Sequence, residues 1–189
     1  MPALAPAQEK ILVFGPSWVG DMVLAQSLFK VLKTRNSKVV IDVAAPAWTL
    51  PLLERMPEVN DAIPLPFAHG RLDLGKRISI GRQLKTRGYG QAILLTNSLK
   101  SAITPFAAGI PRRTGFLGEF RYGLLNDIRP LDEVKLPRTV DRFVALGLNQ
   151  GESLPSSLPL PRLEANSENA LNALGKLGHT PPHAPVLGL

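Results

Sequence analysis

The residue best placed for chemistry is Asp21, the last of the segment Gly15-Pro16-Ser17-Trp18-Val19-Gly20-Asp21. The segment follows a short apolar run, Lys10 to Gly15, and opens a helical pattern. In an open parallel sheet, ligands sit outside the carboxyl ends of the strands, where loops meet helix N-termini. A carboxylate at such a place has two readings: it caps the helix and favours the positive end of its dipole, or it accepts a proton from a bound ligand. The loop has neither the Lys-Ser/Thr ending of a phosphate-binding loop nor the three-glycine spacing of a dinucleotide site, so a nucleotide is not expected here.

Four cations are the next candidates. Lys100, Arg112, Arg113 and Arg121 are placed beyond later strands, where they would converge on the same edge of the sheet as Asp21. Arg presents a rigid fork to carboxylate and phosphate groups, although a lone surface cation is also an ordinary solvated charge. The histidines His69, His179 and His183 have no third ligand at metal spacing, and no metal is expected. Asp42, inside an apolar run, reads as lying at an exposed strand end or capped by a neighbour rather than as catalytic. With 22 Lys and Arg against 15 Asp and Glu the net charge is +7, which favours an anionic partner: nucleic acid, a phosphorylated substrate or an acidic membrane leaflet. Nucleic acid has no aromatic-basic motif to support it. The chain has no cysteine, which excludes disulfides and thiolate chemistry. No secretory leader pattern opens it and no apolar stretch approaches the roughly 20 residues of a membrane span, so a cytoplasmic setting is expected.

The elements that must hold these residues alternate. Lys10–Gly15, Val39–Ala44, Ala62–Leu65, Ala92–Thr96 and Ile110–Phe116 read as strands. Helices are expected over Gly20–Lys33, Leu50–Arg55, Leu72–Thr86, Ser98–Ala108 and Thr139–Leu148, with Pro105 kinking or restarting the fourth. Such alternation predicts an α/β fold with a Rossmann-like, doubly wound, mainly parallel sheet over residues 10–150. Residues 1–9 read as an extension. Residues 151–163, with three prolines and three serines, read as an interdomain linker. Asn166–Leu177 then reads as a helix and Ala184–Leu189 as the first strand of a further unit, so 164–189 is expected to begin a second α/β domain that the chain does not complete.

The segment Ile11–Leu28, ILVFGPSWVGDMVLAQSL, closely resembles the first strand, loop and helix of the ADP-heptose lipopolysaccharide heptosyltransferases, most nearly those that add the second heptose. The resemblance continues in order through Ala45-Pro46-Ala47-Trp48, Arg55 to Val59, Asn97 to Ala102, Gly109 to Gly115 and Arg121 to Asp127. It implies the N-terminal, acceptor-binding domain of a GT-B transferase, inverting and independent of metal or other cofactor. The donor, ADP-heptose, would be held mainly by a C-terminal domain, and 189 residues alone would transfer no sugar. Asp21 matches the family's proposed general base. Ser17 and Trp18 would line the acceptor pocket, Ser17 by hydrogen bonding and Trp18 by stacking on a sugar face, unless Trp18 merely packs the loop. Lys100, Arg112, Arg113 and Arg121 would meet the anionic lipopolysaccharide core, Lys100 and Arg113 with the strongest motif support and Arg121 with the alternative of supporting the loop after Phe116. Such an enzyme would work peripherally at the cytoplasmic face of the inner membrane.

Overall fold

The computed structural model describes residues 9–67 and 71–178. The expectations for residues 1–8, His69, His179, His183 and the strand Ala184–Leu189 lie outside the described residues. Six strands form one sheet in the order β3-β2-β1-β4-β5-β6, and every neighbouring pair is parallel. In chain order the strands are β1 Lys10–Phe14, β2 Val40–Ala45, β3 Asp61–Pro64, β4 Gln91–Leu94, β5 Arg112–Phe116 and β6 Asp127–Arg129. The helices are α1 Val19–Arg35, α2 Leu50–Leu53, α3 Leu74–Leu84, α4 Leu99–Ala107, α5 Thr139–Gly147 and α6 Ser167–Lys176. This is the doubly wound α/β sheet expected from sequence, with its change of winding direction between β1 and β4.

The apolar runs are continuous because both faces of the sheet are covered. Ile11 and Val13 point to a core shared with Phe29 of α1, Leu53 of α2 and Phe143 of α5. Leu12 and Phe14, one residue out of phase, point to the opposite core with Leu84 of α3 and Ala102 of α4. The close approach of α3 and α4 depends on Gly81, where a Cβ would stand 2.6 Å from the Thr104 carbonyl oxygen.

Several elements differ from the sequence expectation. The strand β6 was not foreseen: Asp-Ile-Arg offers no apolar run, and only pairing with β5 makes it a strand. Pro105 neither breaks nor restarts α4, which is unbroken from Leu99 to Ala107. It lies in the last turn, so its missing N–H removes a single intrahelical bond. The helix α6 forms, capped by the Asn166 side chain accepting from the Asn169 N–H at 2.9 Å, yet none of its residues is buried.

The proline-rich stretch after residue 150 has no regular structure, but it is strapped onto α1. The Ser27 hydroxyl donates to the Pro159 carbonyl at 2.7 Å, and the Gln26 side chain both donates to the Arg162 carbonyl at 3.0 Å and accepts from its N–H at 2.7 Å. Leu154 and Leu158 pack on Val31, Val144 and Leu148. This strap explains why two polar residues in the middle of α1, Gln26 and Ser27, are fully buried.

At the starting edge of the sheet, Asp42 is fully buried and held by neighbours, the second of its two expected settings. It accepts from the Tyr89 hydroxyl at 2.6 Å and the Asn60 amide at 2.8 Å, and Lys10 lies 3.3 Å away. Burial and the Asp42 carboxylate push the Tyr89 hydroxyl well above its ordinary pKa. On the same edge, burial pushes the Asp127 carboxyl upward, but hydrogen bonds from Arg129, Thr114 and Arg112 outweigh it and bring it down to about 2. The folded-state value lies below the ordinary 3.8, so this cluster stabilises the protein fully above about pH 4, and the contribution is lost as pH falls through about 2. Urea titrations at pH 5 and pH 2.5 are expected to show a smaller acid-dependent loss of stability in Asp127→Asn than in the parent.

Candidate functional site

The loop between β1 and α1 stands at the finishing edge of the sheet and separates two clefts. The N-cap of α1 is Trp18, with no side-chain capping bond, and Asp21 sits in the first helical turn. Asp21 therefore does not cap the helix by hydrogen bonding. Among the described residues it makes no hydrogen bond or ion pair, and its side chain is only partly covered. It lines a cleft of about 350 Å³ together with Ser17, Trp18, the β4 end at Thr96 and Asn97, Phe116 of β5, and Thr139 and Arg142 of α5. Trp18 does not pack the loop: 77% of it is exposed. Ser17 borders both clefts, and its carbonyl accepts the Trp48 indole N–H at 2.9 Å.

Three of the residues lining this cleft, Thr96, Asn97 and Phe116, are held from behind by Arg121. This side chain was expected at the acceptor, with support of the loop after Phe116 as its alternative, and the alternative is what the structure contains. Arg121 is fully buried and reaches no open surface. Its Nη1 donates to the Thr96 carbonyl at 2.7 Å and to the Ser101 hydroxyl at 3.1 Å; Nη2 donates to Asn97 Oδ1 at 3.3 Å and to the Phe116 carbonyl. One guanidinium thus ties the ends of β4 and β5 to the loop 117–123. Burial lowers its pKa to about 10 against the opposing charge of Glu119, which leaves it protonated at neutral pH. Pulling Arg121 inward leaves Phe120 outward, 87% exposed, and places Glu119 and Phe120 at φ of 45° and 52°, a costly conformation for side chains with a Cβ. Glu119 offsets part of that cost by accepting the Leu99 N–H at the start of α4, at 2.7 Å.

Arg112 and Arg113 are not at this edge. They open β5 instead of following it, so in a parallel sheet they stand at the far end from Asp21. Arg112 pairs with Asp127 at 2.9 Å. Arg113 donates to the Leu124 and Ile110 carbonyls, each at 2.6 Å, and holds its own strand in place. Lys100, by contrast, lies in the first turn of α4 and lines the second cleft, on the other side of the β1–α1 loop, with Trp48 and Arg77. Sequence reasoning missed Arg77, Arg142 and Thr139. Arg77 belongs to a basic amphipathic helix that reads as solvated, while Arg142 and Thr139 sit in the first turn of a helix whose visible signal was its apolar face.

Among the described residues no group of three His, Cys, Asp or Glu side chains is placed to hold a metal ion, and no helix is long and apolar enough to cross a membrane. The chain is 52% identical over 162 residues to lipopolysaccharide heptosyltransferase 2 of Escherichia coli (strain K12), an alignment covering 83% of this chain and 47% of that protein. It is 45% identical to lipooligosaccharide heptosyltransferase 2 of Haemophilus ducreyi, covering 88% and 48%. The solved structure of Escherichia coli ADP-heptose LPS heptosyltransferase II superposes with a TM-score of 0.82 at 45% identity, over 90% of this chain and 51% of that one. The chain spans about half the length of the curated relatives it matches. The family described as Glycosyltransferase family 9 (heptosyltransferase) matches residues 77–184, more than half of the chain, and it is to this family that the chain belongs.

Proposed function

We propose that this chain is the acceptor-binding half of an inverting heptosyltransferase that moves heptose from ADP-heptose to the lipopolysaccharide inner core. The observation that carries the reading is Asp21: a carboxylate with no partner among the described residues, in a cleft at the finishing edge of β1, within the stretch that aligns with heptosyltransferases. In the reaction, an acceptor hydroxyl oxygen attacks the anomeric carbon of the heptose. The bond from that carbon to the diphosphate oxygen breaks, ADP leaves from the opposite face, and the hydroxyl proton passes to Asp21. A carboxylate is a weak base, which suffices when the proton moves late, after the attacking oxygen has become acidic. Ser17 and Trp18 border the acceptor and Arg121 shapes the wall it lies against, whereas Arg112 and Arg113 take no part.

No metal or other cofactor enters this reading. The acceptor is lipid-linked and anionic, so the enzyme works peripherally at the cytoplasmic face of the inner membrane, and the net charge of +7 favours both the acceptor and that leaflet. A second reading is acceptor binding without transfer, which the two clefts beside the β1–α1 loop would also serve. One assay separates them: the purified protein is mixed with ADP-heptose and a core acceptor lacking the second heptose, and both ADP release and acceptor binding are followed. ADP release with heptose incorporation supports transfer by this chain, binding without release supports the second reading, and neither one overturns both.

A further inference from the structure

The stretch from Leu74 to Gly118 contains eight Lys or Arg residues and no Asp or Glu. It supplies α3 and α4, which lie side by side on one face of the sheet and touch where Gly81 meets Thr104 and Ala107. The inner side of α4 is occupied: Ala102, Thr104 and Pro105 are buried. Leu99, Ile103 and Phe106, spaced i, i+4 and i+7, form a stripe on its outer side. Leu99 is 39% and Phe106 50% exposed, and Ile103, partly covered, is part of neither core. A surface helix ordinarily turns polar residues outward, so an outward apolar stripe marks a contact surface.

The cations beside the stripe are free. Arg82 follows Gly81 directly, at the level where the two helices touch, and Lys85 is one turn further on. Both are exposed, and neither has a hydrogen bond or ion pair among the described residues. Next to Phe106 itself, the Arg113 guanidinium lies 5.4 Å from the ring centre. An apolar stripe bordered by cations, with no acid nearby in the chain, complements a surface that is apolar within and anionic at its boundary. A bilayer with acidic headgroups has that make-up. A second copy of the same face would set cations against cations.

We propose that the outer face of α3 and α4 docks on an anionic lipid bilayer, with Leu99, Ile103 and Phe106 entering the headgroup layer and Arg82 and Lys85 on the lipid phosphates. The proposal rests on the acceptor-binding reading above, which sets the chain beside a membrane without saying which face turns to it. Lys100, in the first turn of α4, lines the cleft beside the β1–α1 loop, so docking on this face opens that cleft next to the bilayer.

The protein is sedimented with vesicles of phosphatidylcholine alone, and of phosphatidylcholine and phosphatidylglycerol in equal parts. Binding is expected to the acidic vesicles only, and to fall as salt is raised. Arg82→Gln with Lys85→Gln is expected to weaken it roughly twentyfold, about fivefold for each cation at the lipid surface. These two side chains make no bond within the fold, so their replacement leaves it standing. Phe106→Ser is expected to weaken binding about fivefold through lost apolar burial. Lys135→Gln with Lys176→Gln removes the same charge from exposed positions elsewhere, and is expected to change binding by less than about twofold. No binding to acidic vesicles, equal losses in the two charge pairs, or unchanged binding in Phe106→Ser overturns the surface. So does a dimer in sedimentation velocity that Phe106→Ser dissolves. The vesicles carry neither lipopolysaccharide nor ADP-heptose, so heptose transfer without vesicle binding overturns this surface alone. Vesicle binding by a protein that neither binds acceptor nor transfers heptose overturns the proposed function alone.

Discussion

Asp21→Asn is expected to lower the turnover of heptose transfer by about 10²- to 10⁴-fold, the usual range for loss of a positioned general base, while the KM for acceptor changes little. The reason is geometric. Asn is nearly isosteric and keeps the side chain in the same cleft, beside Ser17 and Thr96, but its amide does not take up the hydroxyl proton. The first turn of α1 has no capping bond from Asp21 to lose, so the thermal midpoint of the variant stays close to the parent's. The measurement is steady-state transfer by the enzyme that carries this domain, over a range of acceptor concentrations. Turnover within a factor of three of the parent would remove Asp21 from the reaction, and a variant that melts early would assign the residue to the fold.

Arg121→Met has the largest expected effect on stability, a loss of about 3–5 kcal/mol, because removing one side chain strands several buried partners at once. The Thr96 and Phe116 carbonyls lose their donor, and the Asn97 and Ser101 side chains lose a neighbour. For a protein of this size that amounts to roughly 10 °C in thermal midpoint. The loop 117–123 also loses the anchor that holds Glu119 and Phe120 in left-handed conformations, so this loop, together with the Thr96, Asn97 and Phe116 lining of the Asp21 cleft, loosens before the domain melts. Differential scanning calorimetry reads the first effect and proteolysis of the loop the second. A midpoint within 2 °C of the parent would show that the carbonyls find other donors.

The alternation of strands and helices was legible because the buried strands of a parallel sheet are apolar on both faces, as in Ile11 to Phe14 and Ala92 to Leu94. The strand β6 was not legible, since its pattern is set by its neighbour and not by its own residues. The misplacement of Arg112 and Arg113 has a similar origin. Ile110 looks like the start of a strand, but Gly109, at φ 65°, and Ile110 still belong to the turn that ends α4, so the two arginines open the strand. The carboxylate in the β1–α1 loop was visible, whereas its bonding was not, because capping and free carboxylates both favour the first turn of a helix. Arg121 was visible as a charge, but only the folded loop shows that it turns inward.

The pattern of ion pairing gives the molecule an electrical orientation. At the starting edge of the sheet, Asp42, Asp61 and Asp127 pair with Lys10, Arg87, Arg112 and Arg129. At the finishing edge Arg77, Lys100 and Arg121 have no ion pair among the described residues. Arg77 and Lys100 therefore put unpaired positive charge beside the β1–α1 loop, and an anion diffusing nearby meets an attractive field there before it touches any side chain. Capture of an acidic acceptor would then be fast at low ionic strength and slow as salt shortens the screening length towards about 8 Å, with dissociation much less affected.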